Sequence, residues 1–106
     1  GTQVTIADDA VASITPPRTG GFMFVTCAGN ANYPKANESG LLFYDVGASL
    51  YIYETPLSLG SDLDVSTSDV TGTTGTDGHI TVAVQSGVIK IENRRGFSET
   101  FQITFM

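Results

Sequence analysis

The amino-acid sequence predicts an all-β fold: a single-domain jelly-roll or Greek-key β-sandwich of about eight to nine short strands, with essentially no helix. Short segments of alternating apolar and polar residues recur roughly every ten residues along the chain. Nowhere do apolar residues recur at helical spacing over three turns. The length of 106 residues fits one domain spanning residues 1–106, and one sandwich fills a domain of that size.

The clearest strand pattern lies at the C-terminal end. Residues 88–92 and 101–105 alternate apolar and polar side chains, and residues 93–96 between them contain the turn-forming Asn and Gly. We therefore expect one β-hairpin with Arg94 and Arg95 at its tip. Its apolar face needs a second layer. The residues expected to complete this core around Phe101 are Ile80, Val82, Val84, Phe22 and Phe24.

The N-terminal third contains three predicted strands. Residues 2–6 alternate, and residues 11–14 form a second short strand that ends before two prolines, which cannot donate to a sheet ladder. Residues 22–27 are apolar on both faces, which predicts a strand covered on both sides. One cover is the core, and the other is a neighbouring subunit or a loop. Phe22 and Met23 are therefore candidate partner contacts.

The middle of the chain combines a long loop with a predicted hairpin. Residues 28–40 are too rich in Asn and Gly for a strand, and Tyr33 with Pro34 is the exposed anchor expected to contact a partner. Residues 41–44 and 50–53 read as hairpin strands. Tyr51 and Tyr53 share the outward face of the second strand. They form either ordinary solvated surface or a platform for a sugar or a partner.

A short strand over residues 62–65 and a strand over residues 80–84 flank a turn-forming loop rich in Gly and Thr. Four acidic residues surround this loop: Asp62, Asp64, Asp69 and Asp77. They are either solvated surface or ligands of Ca²⁺, although their spacing does not match an EF-hand. The glycines do not form a phosphate loop, because a strand rather than a helix follows them.

Charge and residue inventory exclude several classes of function. The formal net charge is −6 with five basic residues, so direct binding of nucleic acid is not expected. Arg94 and Arg95 are either solvated or contact a carboxylate on a neighbour. Cys27 is the only cysteine, which excludes an intrachain disulfide and predicts a small buried hydrophobe. His79 is expected at the surface. With no catalytic, cofactor, metal or membrane-spanning motif, we expect a non-enzymatic protein without cofactor.

Four stretches together resemble small virion proteins of tailed bacteriophages; they are residues 4–9, 13–21, 72–78 and 91–96. The resemblance implies a jelly-roll-like capsid cement (decoration) protein that binds the major capsid protein shell, as a homotrimer located at the capsid surface of the virion after synthesis in the host cytoplasm. It places residues 22–27 or the tyrosine face at subunit contacts and the N-terminal arm at the shell. The alternative is a receptor- or carbohydrate-binding tip domain of a tail fibre.

Overall fold

Nine β-strands and one short 3₁₀ helix make up the parts of the chain that the computed structural model describes, residues 2–28, 35–46, 58–85 and 87–106. The 3₁₀ helix spans Lys35–Glu38. The strands are β1 (Thr2–Ile6), β2 (Ala10–Ile14), β3 (Gly20–Cys27), β4 (Gly40–Asp45), β5 (Ser58–Leu59), β6 (Leu63–Ser66), β7 (Ile80–Gln85), β8 (Val88–Asn93) and β9 (Glu99–Phe105). Tyr33, Pro34, Tyr51, Tyr53 and the strand expected over residues 50–53 lie outside the described residues.

The strands form two sheets, so the predicted β-sandwich is confirmed. The order is β1-β9-β3-β4-β5 in the five-stranded sheet and β2-β8-β7-β6 in the four-stranded sheet. The chain changes sheet after β1, β2, β5 and β8, so each sheet combines strands from both ends of the described sequence. All pairs are antiparallel except β6 with β7, where Leu63 lies opposite Ile80 in a parallel register.

The predicted C-terminal hairpin is wrong, because β8 and β9 belong to different sheets. β8 pairs with β2 and β7, whereas β9 lies between β1 and β3. Asn93 fixes the crossing between the sheets: its buried side-chain amide donates to the carbonyls of Ile6 and Phe97, each at 2.8 Å. Gly96 adopts a positive φ of 100° there. Alternation shows which side of a strand is apolar, but it does not identify the neighbouring strand.

The core lies between the two sheets, and β3 faces it with the side opposite to that expected. Met23, Val25 and Cys27 are buried, whereas Phe22 and Phe24 point outward and are 41% and 40% exposed. The prediction that Phe22 and Phe24 belong to the core is therefore wrong. The prediction that Met23 contacts a partner is also wrong, because its side chain is fully buried. A strand that is apolar on both faces gives no sequence signal for which face turns inward.

The outer faces of the two sheets differ. On the four-stranded sheet, the outward residues Thr81 and Ala83 are buried, and the loop after β6 lies over Thr81. Gly75 of that loop lies so close that an added Cβ would come within 2.3 Å of the Thr81 hydroxyl. Val70 in the same loop is also buried. The four-stranded sheet is thus covered by its own chain, while the outer face of the five-stranded sheet carries exposed phenylalanines.

Candidate functional site

The outer face of the five-stranded sheet carries one charged side chain across four neighbouring strands, Asp45 at the end of β4; the rest of this face is uncharged. The strand registers bring Phe22 opposite Phe43, Phe24 opposite Leu41 and Thr104, and Thr26 opposite Gln102. We call this surface the uncharged face; its residues are Gln3, Thr5, Phe22, Phe24, Thr26, Leu41, Phe43, Thr100, Gln102 and Thr104. Ten neighbouring outward positions without a charge, bordered by the single Asp45, are notable in a chain whose net charge is −6.

The aromatic residues of the uncharged face lie side by side. The rings of Phe22 and Phe43 meet edge to face, with centroids 5.6 Å apart and planes at 76°. Met106, next to the end of β9, is 51% exposed, and Arg18 donates to its backbone oxygen at 2.7 Å. Exposed aromatic side chains within a patch depleted of charge are the composition of the centre of protein–protein interfaces. Of the predicted contact residues, Phe22 therefore lies where a partner can reach it.

A second candidate site is buried at one end of the sandwich and consists of Cys27, Glu38 and Glu99, the thiol–carboxylate cluster. Cys27 ends β3, Glu38 ends the 3₁₀ helix and Glu99 begins β9. All three are 3% exposed or less. The Cys27 Sγ lies 3.0 Å from Glu38 Oε2 and 2.9 Å from Glu99 Oε2. Cys27 is buried as predicted, but it contacts two acids rather than only apolar side chains.

The cluster retains protons at neutral pH. Burial and a hydrogen bond shared with Glu38 raise the pKa of Glu99 to about 7, although the positive charge of Arg95 acts in the opposite direction. Burial and the hydrogen bonds to the two carboxyl groups raise the pKa of the Cys27 thiol well above its ordinary value. The thiol is therefore protonated and poorly nucleophilic.

Arg95 joins the cluster to the other sheet. Its Nε lies 2.7 Å from Glu38 Oε1, and its Nη1 donates to Asp62 Oδ2 at 2.8 Å and to the carbonyl of Gly78 at 2.7 Å. Its side chain is only 13% exposed. The expectation of a solvated arginine at a hairpin tip is therefore wrong for Arg95, since its guanidinium is held inside the molecule.

Arg94 is also held within the chain. It donates to the carbonyl of Gly75 at 2.8 Å, and it lies 3.3 Å from Asp9 and 3.6 Å from Asp77. Its side chain is 20% exposed. These contacts tie the crossing segment to the glycine-rich loop, so the expectation of a solvated tip is wrong for Arg94 as well.

The acidic residues of the 62–78 region pair with cationic or imidazole groups. His79 is half-buried, with Nδ1 2.9 Å from Asp64 and Nε2 3.7 Å from Asp62. Asp69 accepts from Lys90 at 2.8 Å, and Asp77 faces Arg94. Among the described residues, the three-ligand set whose donor atoms converge is the thiol–carboxylate cluster and not this acidic loop. Within the part of the chain that the structure describes, the carboxylates around the glycine-rich loop therefore do not converge on a site for Ca²⁺.

Glu92 on β8 organises the glycine-rich loop. This fully buried carboxylate accepts the backbone N–H groups of Gly72 at 2.8 Å, Thr74 at 3.2 Å and Gly75 at 2.7 Å, and the Thr74 hydroxyl at 2.8 Å. Burial alone would raise its pKa, but these hydrogen bonds outweigh burial and hold the pKa of Glu92 below its usual value of 4.5. The loop amides thus bind an internal anion, which agrees with the prediction that this loop is not a phosphate site.

A groove of about 710 Å³ runs along the edge strand β6 beside this loop. Its walls contain the carboxylates of Asp64 and Asp69 together with hydroxyl groups, of which Thr74 and Thr76 are examples. The remaining lining residues are Leu59, Leu63, Val65, Ser66, Ser68, Val70, Gly75 and Thr81. The groove therefore combines two carboxylates and several hydroxyl groups with apolar side chains, and its lining residues include no aromatic side chain.

Comparison with known proteins found no relative: no family model, curated protein or solved structure matches this chain. In the described ranges, no helix has the length and apolar character needed to cross a membrane. Conclusions about function therefore depend on the residues of this chain and on their geometry.

Proposed function

We propose that this chain is a structural protein of a phage virion, a capsid cement protein that binds the shell of major capsid protein as a homotrimer. The observation that supports this proposal is the uncharged face with its exposed Phe22 and Phe24. The resemblance in sequence suggests that the assembly is a phage capsid. The uncharged face is a surface suited to permanent contact with another protein. This is a binding role rather than a catalytic one, located at the capsid surface.

The uncharged face serves as the contact between subunits of the trimer. Phe22 and Phe24 act as anchors, because burying a large aromatic side chain removes much apolar surface from water. The surrounding threonine and glutamine side chains form a polar rim that tolerates hydration. Trimerisation presents three copies of each shell contact at once, so weak individual contacts combine into durable binding.

Paired replacement of the anchors tests the proposal. A variant with Phe22→Ser and Phe24→Ser should become monomeric by light scattering and fail to co-sediment with capsid shells that lack the protein. Its far-UV circular dichroism spectrum should stay that of the wild type, because both side chains lie outside the core. The control variant carries Thr67→Ala and Ser68→Ala, two exposed positions on the covered side of the sandwich. It should trimerise and bind shells as the wild type does.

Two results would overturn the proposal. One is a wild-type chain that is strictly monomeric at high concentration and does not bind shells. The other is shell binding that survives the loss of both phenylalanines, since the uncharged face would then have no part in it.

The groove beside β6 favours a second candidate, a receptor- or carbohydrate-binding tip domain of a tail fibre. Carboxylates such as Asp64 and Asp69 accept hydrogen bonds from sugar hydroxyls, and the groove threonines can both donate and accept. This candidate predicts glycan binding that Asp64→Asn with Asp69→Asn removes, and a few copies per virion instead of the many expected of a cement protein. Quantitative mass spectrometry of virions separates the two.

A further inference from the structure

The thiol–carboxylate cluster brings three side chains that can bind a metal ion together in the interior of the protein. Both the Glu38 and the Glu99 carboxyl groups lie within 3.0 Å of the Cys27 sulfur. The donor atoms of the three residues lie within 4.8 Å of one another. We infer that Cys27, Glu38 and Glu99 form a binding site for one Zn²⁺ ion, a role independent of the proposed capsid function.

An unpartnered atom in the cluster points independently to a ligand. Glu99 is 1% exposed, and its Oε1 atom receives no hydrogen bond. A buried carboxylate oxygen without a donor is costly, since it has lost its hydration and gained nothing in exchange. A cation bound among the three residues supplies the missing partner.

A divalent ion suits the charge of the cluster. Arg95 lies against one of the two carboxyl groups, with its Nε 2.7 Å from Glu38 Oε1. With metal, the thiolate and two carboxylates carry three negative charges, which Zn²⁺ and Arg95 neutralise. Because a thiol binds a metal ion as the thiolate, binding also releases protons.

The donor set selects zinc among the common divalent cations. Zn²⁺ binds thiolate sulfur and carboxylate oxygen readily, and three protein ligands are the number found in zinc sites with an open fourth position. Ca²⁺ and Mg²⁺ are hard ions that require oxygen ligands, so the sulfur of Cys27 disfavours them. The positive charge of the ion also favours the thiolate, which offsets the effect of burial on the thiol.

Two of the three ligand residues have supporting contacts. Arg95 holds the Glu38 carboxylate, and the Cys27 backbone N–H donates to the Ser39 hydroxyl at 2.9 Å. Such supporting contacts are a regular feature of metal sites. Because the ligands come from β3, the 3₁₀ helix and β9, the ion connects three segments that are distant in sequence. Bound Zn²⁺ should therefore stabilise the fold.

Metal titration of the full-length, metal-free protein tests the site. Zn²⁺ should bind with a stoichiometry of about one, release protons into a weak buffer, and raise the unfolding midpoint. Co²⁺, a probe for the same geometry, should give the absorption band of a thiolate–metal bond. Ca²⁺ and Mg²⁺ should give none of these effects. Proton release and the Co²⁺ band need no variant and so remain informative if a variant misfolds.

Variants then assign the ligands. Cys27→Ser and Glu99→Gln should each weaken Zn²⁺ binding by about a hundredfold or more, since even supporting residues of metal sites contribute up to that much. Asp64→Asn is the matched control, because it alters the carboxylate next to His79 and leaves the cluster intact. Zinc binding without proton release or without the Co²⁺ band, binding that is lost in Asp64→Asn but kept in Cys27→Ser, or no zinc binding at all would each overturn the inference.

Discussion

Two buried glutamates, Glu92 at the end of β8 and Glu99 at the start of β9, occupy opposite electrostatic environments. Both are almost fully buried. Glu92 accepts three backbone N–H groups and one hydroxyl, and its pKa lies below 4.5. Glu99 faces another carboxyl group and a thiol, and burial together with the Glu38 hydrogen bond raises its pKa to about 7. Burial alone does not decide the charge of a carboxyl group; the number of donors around it does.

Glu92 and Glu99 also have different roles in the molecule. The Glu92 site is complete, because donors from the loop surround its oxygens and hold that loop against the four-stranded sheet. The Glu99 site is incomplete, because one carboxylate oxygen has no donor. The first is a structural device, and the second is the place where an added cation improves the structure. One substitution, Glu to Gln, tests both.

Glu92→Gln is expected to have the largest effect. The amide group of Gln donates where Gly72, Thr74 and Gly75 also donate, so at least one buried N–H loses its partner. We expect the free energy of unfolding at pH 7 to fall by about 2 to 4 kcal/mol. Chemical denaturation measures it. Asp69→Asn, an exposed carboxylate on the same loop, is the control and should change stability little.

The pH profile sharpens this prediction. The folded pKa of Glu92 is depressed, so its contribution is present above the unfolded value of 4.5 and is lost as the pH falls through the folded pKa. The difference between wild type and Glu92→Gln should therefore shrink below pH 4.5. A difference that stays constant down to pH 2.5 would show that the charge of Glu92 is unimportant.

Glu99→Gln in the metal-free protein should have a smaller effect of opposite sign. The folded pKa of Glu99 is raised, so wild-type stability is greatest below the unfolded value of 4.5 and falls as the pH rises through the folded pKa of about 7. Gln cannot ionise, so the variant should be more stable than wild type at pH 8 by about 1 to 3 kcal/mol, and about equally stable at pH 4.5. Denaturation curves at both pH values measure the difference; a variant destabilised at pH 8 would contradict the prediction.

Thr74→Val should have the smallest effect. It removes the one hydroxyl that donates to Glu92 and leaves the three backbone donors in place. We expect a loss of about 1 kcal/mol, measured by the same denaturation experiment, with Thr73→Val at the neighbouring exposed position as control. A loss as large as that of Glu92→Gln would mean that the hydroxyl, and not the backbone, holds the carboxylate.

Neither glutamate could be assigned its role from the sequence. Glu92 reads as the outward polar residue of an alternating strand, and only the loop that folds over β8 buries it. Glu99 precedes the apolar run of β9 and lies 72 positions from the sulfur of Cys27. The sequence did contain one signal for the role of Arg95. With five basic and eleven acidic residues, each basic side chain has many possible acidic partners, so a basic residue in a turn is a good candidate for an internal ion pair.

The sequence by itself determined the strand content, the two-layer architecture and the burial of Cys27, because these follow from alternation, turn residues and hydrophobicity, which are local properties. Only the tertiary structure decided that β8 and β9 belong to different sheets, that Phe22 and Phe24 face outward, and that the pKa values of Glu92 and Glu99 shift in opposite directions. The physical reason is that strand partners, the inward face of a strand that is apolar on both sides, and the donors around a carboxyl group all depend on segments distant in the chain.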